Sequence, residues 1–309
     1  MSIVVVGSVV LDSIKTPHGE VTDVLGGSAS FFSTAASLFS DVRLVGVVGG
    51  DFPDADMQFL QKRKIDLRGL EVVPAGKTFR WKGEYSADMN SRTSLCTELN
   101  VFAEFSPKLP ESYRSTPVVF LGNIDPVLQS RVLDQVSAPW ITACDTMNFW
   151  ISGKKDELRQ VLKRVDLFFI NDSEAEELVG ESNVFKAGRR LLEWGPSTVV
   201  IKRGEFGSIV MQKEMLFILP AFPLTGVVDP TGAGDTFAAG FLGYVDRCGT
   251  NDPATLRRAA VCGTVVASFT CEGFGLEAIG RVSVSDVQAR AREFLEHIVI
   301  PGGENALVL

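Results

Sequence analysis

Histidine is almost missing from this chain, with two residues, His18 and His297, among 309. So few histidines argue against a histidine-ligated metal centre and leave no visible Ser-His-Asp set. Cysteine is also sparse. Cys96, Cys144, Cys248, Cys262 and Cys271 lack the paired spacing of a zinc site. Their odd number, with no apparent export signal, points to reduced thiols and a cytoplasmic protein. Met1 to Leu11 is apolar but lacks a basic leader, so it reads as a buried first strand. No segment is long and apolar enough to span a bilayer. Positive charge is in deficit, with 30 Lys and Arg against 38 Asp and Glu. That balance argues against a nucleic-acid backbone surface. Two phosphate-binding signatures are absent as well. The first strand ends at Gly7-Ser8 without Gly-x-Gly-x-x-Gly, which argues against an NAD-dependent oxidoreductase. The glycines at 232 and 234 are not followed by Lys-Ser/Thr, so they are no Walker A loop.

What is present is an α/β rhythm. Apolar content is 45% and charged content 22%, as expected of a folded globule. Near-solid apolar strands are expected at Ser2–Val9, Val42–Val48, Val118–Leu121, Ile141–Cys144, Leu167–Ile170, Thr198–Ile201 and Ser208–Met211. Between and after them, helical patterns fall at Gly26–Ser40, Met57–Lys64, Val127–Gln135, Lys155–Arg164, Ser173–Leu178, Val184–Trp194, Thr236–Val245, Thr255–Phe269 and Ser285–His297. Strands this apolar must be covered on both faces, which predicts a mostly parallel central sheet between helices. Residues 77–103 break the rhythm. They alternate polar and apolar, with Phe79, Trp81, Tyr85, Leu95, Leu99 and Phe102, and read as strands outside the main sheet. Residues 13–24 form a second insertion, with a turn at Pro17-His18-Gly19.

The densest chemistry lies in Asp229-Pro230-Thr231-Gly232-Ala233-Gly234-Asp235-Thr236-Phe237. Glycines flanking an alanine at a helix start let backbone amides approach an anion, aided by the helix dipole. Asp235 falls where loop meets helix, within reach of a hydroxyl proton. This motif closely resembles that of the ribokinase-like, or PfkB, family of carbohydrate and nucleoside kinases, over Asp229–Phe241. The resemblance implies one ribokinase-like domain over residues 1–309, with a β-lid built from 13–24 and 77–103. It also implies transfer from MgATP to a hydroxyl. Asp235 is then the general base, with Gly232, Ala233 and Gly234 beside it in the catalytic loop and Thr231 next to the nucleotide.

The acceptor end is expected at Asp12, in Gly7-Ser8-Val9-Val10-Leu11-Asp12. An acid after the first strand lines the usual crevice of such sheets, and a carboxylate can accept from two neighbouring hydroxyls. Gly26-Gly27-Ser28-Ala29-Ser30-Phe31 resembles the family's double-glycine motif, with one departure: Phe31 stands where the family usually carries Asn. Phe31 either packs an apolar face of the acceptor or fills the core. Asp51, in Gly49-Gly50-Asp51, reads as structural. Asn123 and Asp145 follow predicted strands and are further acceptor candidates.

At the nucleotide end, Asn171-Asp172-Ser173-Glu174 reproduces the family's Asn-x-x-Glu, which in that family organises Mg2+ and its waters. The same spacing also makes a helix capping box. Lys202, Arg203, Gly204 and Gly207 link two strands in what resembles the nucleotide-proximal loop, though a bare hairpin gives the same pattern. Backbone oxygens near 261–275 suit K+ in the family. The expected acceptor is a sugar or related polyol, with a nucleoside or an inositol as alternatives. A non-catalytic sugar or nucleotide sensor is the alternative outside enzymes. The resemblance allows a monomer or a lid-mediated homodimer.

Overall fold

A strand apolar along its whole length is stable only when both of its faces are covered. The computed structural model, which describes residues 1–299, shows how this chain meets that demand. Strands β1 (Ser2–Val6), β2 (Val10–Thr16), β3 (Gly19–Gly26), β4 (Asp41–Gly49), β5 (Asp66–Val73), β6 (Phe79–Tyr85), β7 (Arg92–Glu98), β8 (Val118–Leu121), β9 (Ile141–Cys144), β10 (Leu167–Asn171), β11 (Thr198–Lys202), β12 (Ser208–Met211) and β13 (Leu216–Leu219) fall into two sheets. The large sheet runs β13-β12-β11-β10-β9-β8-β1-β4-β5. It is parallel from β11 to β5, and β12 and β13 extend it antiparallel.

Helices α1 (Ser28–Ala36), α2 (Asp54–Lys62), α3 (Pro126–Leu133), α4 (Asn148–Gly153), α5 (Lys155–Leu162), α6 (Asp172–Val179), α7 (Val184–Leu192), α8 (Ala233–Cys248), α9 (Pro253–Thr270) and α10 (Val284–Ile298) surround it. Alternation along β1 divides the core. Ile3 and Val5 join the cluster containing Phe31, Phe241, Val265 and Phe294 from α1, α8, α9 and α10. Val4 and Val6 join the opposite cluster, with Val132, Leu158, Leu178 and Leu191 from α3, α5, α6 and α7. The strand period of two sends successive side chains to opposite faces, so each strand supplies both layers. None of the helices among the described residues is long and apolar enough to cross a membrane.

From β1 the chain builds outward through β4 and β5, then returns to β8 on the other side of β1. The order therefore reverses between β1 and β8. A crevice opens there at the carboxyl ends of the strands, the usual ligand position in open α/β sheets.

The smaller sheet runs β3-β2-β6-β7 and draws on residues 10–26 and 79–98. Its boundary corrects one expectation. Asp12 does not lie in a loop after the first strand but inside β2, the second sheet's own strand. The β-branched run Val4-Val5-Val6 resumes at Val9-Val10, so the pattern hides the break at Gly7-Ser8. Hydrogen bonds join the small sheet to the large body. Asp51 accepts from Thr78 N (2.7 Å), Thr78 Oγ1 (2.8 Å) and Arg80 Nη1 (2.7 Å), clamping the start of β6 to the loop after β4. Burial opposes ionisation of this carboxyl, but these donors outweigh it and hold its pKa below the ordinary value.

Candidate active site

The loop before α8 is shaped by a contact beneath it. Gly232 adopts a left-handed backbone with φ 78° and caps α8 without any side-chain hydrogen bond. A Cβ there would also sit 2.3 Å from the Phe31 ring. Position 232 therefore needs glycine on two counts, conformation and space. The same contact resolves Phe31. It is 1% exposed and lies among core residues, so it supports the loop from below instead of facing an acceptor.

The loop is tied down on its other side as well. Asp229, fully buried, accepts from Thr231 N (2.9 Å) and Gly275 N (3.2 Å). Val228 N donates to Cys271 O at 2.8 Å, joining the 271–275 segment to the loop. Burial raises the Asp229 pKa against these hydrogen bonds. The result is a held helix start whose amides have no side-chain cap, a suitable cradle for phosphate oxygens.

Carboxylates converge around it. Asp12 is 5% exposed, and its pKa is pushed up to about 7 by burial first and the Asp229 charge second. Gly26 leaves room for it: a Cβ there would lie 1.8 Å from Asp12 Oδ2. Asp235, in the first turn of α8, is likewise raised to about 7, by burial and then by Asp145. Carboxyls poised near neutrality in a crevice suit proton transfer, and such shifts gather at functional sites.

Lys202, at the end of β11, is the cation of this cluster from the large sheet. Its Nζ lies 2.6 Å from Asp145 Oδ2, and both side chains are largely buried. Burial pulls the ammonium's pKa down, but Asp145 and Glu174 outweigh it and hold the pKa above the ordinary value. A Cβ on Gly234 would sit 3.1 Å from that nitrogen, so Lys202 borders the loop at the start of α8. Arg203 does not. Its guanidinium lies over the Phe206 ring at 5.7 Å, and its Nε is 3.8 Å from Asp172. Of the two basic residues that could meet phosphate, the side chain that borders the loop is therefore Lys202.

Asn171 and Glu174 form a complete capping box. Asn171 Oδ1 accepts from Glu174 N (2.7 Å), and Glu174 Oε2 accepts from Asn171 N (3.0 Å). This structural role does not exhaust Glu174. It is 6% exposed, burial raises its pKa to about 7, and the charges of Lys202 and Asp145 act on it. Among the described residues, no three His, Cys, Asp or Glu side chains converge into a metal cage. A magnesium ion arriving here would depend chiefly on the nucleotide's phosphates and water, with Glu174 near its outer shell. Asn123 Oδ1 accepts from Trp150 Nε1 at 3.0 Å, bracing the loop after β8 against α4. Gly204 and Gly207 bracket a 3-10 turn, Gly204–Phe206, between β11 and β12.

The second sheet reaches this crevice through residues that no sequence motif identified. Tyr85, at the end of β6, shares a 3.0 Å hydrogen bond with Thr231 Oγ1 in the catalytic loop. Asn90 Nδ2 donates to Glu205 Oε1 at 3.3 Å, across the mouth. Arg92, opposite Tyr85 in β7, brings its positive charge to bear on Asp12, Glu174 and Asp235 at once. The aromatic alternation of 77–103 was the one available signal for Tyr85. Nothing in the polar run around Arg92 marked it out.

The sequence profile described as pfkB family carbohydrate kinase matches residues 1–279. The chain belongs to the pfkB family. The cytidine kinase of Thermococcus kodakarensis is 33% identical over 251 residues, covering 79% of this chain and 88% of that protein. A nucleoside kinase of Methanothermobacter thermautotrophicus is 25% identical over 272 residues, 87% of this chain and 83% of its own length. The fold matches an Escherichia coli structure named ribokinase II, bound to ATP and Mg2+. The TM-score is 0.78 at 18% identity, over 94% of this chain and 99% of that one. This pfkB kinase is thus an ATP-dependent phosphotransferase with the ribokinase-like α/β fold.

Proposed function

We propose that the chain is a nucleoside kinase, transferring the γ-phosphoryl group of MgATP to the primary hydroxyl of a nucleoside. The observation that carries the acceptor class is the one-third identity to a cytidine kinase along most of both chains. On this reading the nucleoside, rather than a plain sugar, is the expected acceptor.

The site supplies the parts such a reaction needs. Asp12 accepts from the ribose hydroxyls, a vicinal pair that suits one carboxylate. Asp235 orients the attacking hydroxyl and takes its proton as the new P–O bond forms and ADP departs. The amides of Gly232, Gly234 and Asp235 receive charge on the transferring group, that of Ala233 being taken by Pro230 O (3.1 Å), and Lys202 and Arg92 add positive charge beside it. Magnesium, when bound with ATP, would supply charge neutralisation at the phosphate oxygens. The lid contacts Tyr85–Thr231 and Asn90–Glu205 hold the second sheet over the crevice. Such a cover keeps water from competing as acceptor.

The test is ADP release with MgATP over nucleosides, pentoses, hexoses, hexose phosphates and inositols, with and without potassium, with product analysis of each hit. A nucleoside monophosphate as the preferred product supports the assignment. Preference for a free sugar or an inositol overturns it. The Asp235→Asn variant is the control for mechanism. It is expected to fold while losing at least about a hundredfold in kcat. Near-normal turnover in that variant would remove Asp235 from the role of base.

A further inference from the structure

The crevice side of the lid carries an aromatic residue that belongs to neither hydrophobic cluster. Trp81 in β6 pairs with Asp12 of β2 in parallel register, so the two side chains leave the same face of the sheet. Tyr85, four residues further along β6, shares that face and touches Thr231. The face bearing Trp81 is therefore the one turned toward the crevice, and Lys15 and Glu84 pair on the other side.

The indole does not stand upright on the sheet. A Cβ on Gly83 would lie 2.1 Å from its Cη2 and 2.3 Å from its Cζ2. The six-membered ring thus rests over Gly83, where only glycine leaves room. Trp81 Nε1 donates to Ser94 Oγ at 3.0 Å, and the Arg92 guanidinium carbon lies 5.6 Å from the ring centroid. Ser94 thus holds the ring's edge and Arg92 lies over the ring, while the residue as a whole stays half-exposed. No aromatic ring among the described residues stacks on it. A large aromatic held flat beside an acceptor carboxylate, and not used in core packing, is a surface for a planar group.

We propose that Trp81, laid flat by Gly83, is the stacking platform for the nucleobase of the acceptor while Asp12 holds its ribose. This rests on the nucleoside reading and assigns the residue that recognises the base. Stacking tolerates different bases because each presents a π-face. The platform therefore predicts an enzyme that separates nucleosides from free sugars more sharply than one base from another.

The experiment compares wild type, Trp81→Phe and Trp81→Ala on cytidine, adenosine, inosine and D-ribose. Thermal melts and ATP affinity check each variant's fold. The expected result for Trp81→Ala is a loss in nucleoside kcat/KM on the order of tenfold to a hundredfold, mostly through KM. Any activity on ribose should stay within about twofold, because ribose has no base to lose. Trp81→Phe should recover most of the loss. Nucleoside binding should also quench tryptophan emission in wild type and not in Trp81→Phe. Unchanged nucleoside KM in Trp81→Ala, an equal loss on ribose, or the same quench in Trp81→Phe would overturn the platform. The wild-type measurements test the nucleoside reading separately: if that enzyme phosphorylates no nucleoside, the reading itself fails whatever the variants do.

Discussion

Asp12→Asn should stabilise the ligand-free protein while damaging its activity, and the two effects should separate with pH. The Asp12 carboxyl is 5% exposed, and its pKa stands at about 7 in the fold. Its proton affinity is then about a thousandfold above that of an unfolded aspartate, which corresponds to ~4 kcal/mol. A raised carboxyl pKa means that the folded state holds the proton more tightly than the unfolded state. Stability from this group is therefore full below pH ~4 and is lost as pH rises to about 7. Asparagine carries no charge, so the variant escapes that loss. Denaturant melts should show little difference at pH 4 and a gain growing to at most about 4 kcal/mol at pH 8. In the same variant, acceptor KM should rise, because one oxygen of the diol clamp becomes an NH2 donor. A destabilisation of equal size at every pH would refute the reasoning, since it would show Asp12 to be a packing or hydrogen-bonding residue. So would an acceptor KM that does not move.

Two further perturbations test the supports of the site. Gly232→Ala puts a methyl 2.3 Å from the Phe31 ring at a φ of 78°. It should lower stability by roughly 1–3 kcal/mol and reduce kcat, read by thermal melting and steady-state kinetics. Tyr85→Phe removes the hydroxyl that meets Thr231. One net hydrogen bond is worth about 1 kcal/mol, so kcat/KM should fall roughly fivefold and acceptor-free ATP hydrolysis should rise. Unchanged hydrolysis would mean that this contact does not help to exclude water.

The large sheet was legible because its strands are apolar on both faces and its helices keep their own period. Ile141–Cys144 and Val118–Leu121 were expected at their observed bounds for that reason. The glycine-flanked start of α8 was legible because amide donors at a helix start demand small residues in sequence, as in Gly232-Ala233-Gly234. The rest depends on contacts that no local pattern carries. Phe31 had two readings until Gly232 was found on its ring. Lys202 and Arg203 are neighbours of equal charge, and only the end of β11 decides which one turns toward Asp145. Arg92 lies in a strand exposed along its whole length, where an arginine is ordinary.

The second sheet is where these missing contacts collect, and the physics of a sheet proposed as a lid explains why. A main-sheet strand is specified by burial, which leaves an apolar signature. A lid strand must leave its outer face to solvent and its inner face to ligand, so neither face needs to be apolar. Its composition then reflects the ligand more than the fold. Asp12, Trp81, Tyr85 and Arg92 are four different side-chain chemistries at adjacent register positions on three strands. Folding alone would favour none of them there, since a buried carboxyl is costly to ionise and the aromatics lie outside the core. Two of the four, Asp12 and Tyr85, have pKa values raised chiefly by burial. Polar groups held against their own solvation are retained where a bound molecule restores what burial removed. Ribose hydroxyls can do so at Asp12, the phosphoryl group at Arg92, and a base at Trp81. If this is right, saturating acceptor should raise the melting temperature of wild type more than that of Asp12→Asn or Trp81→Ala, because each variant gives up part of the binding energy.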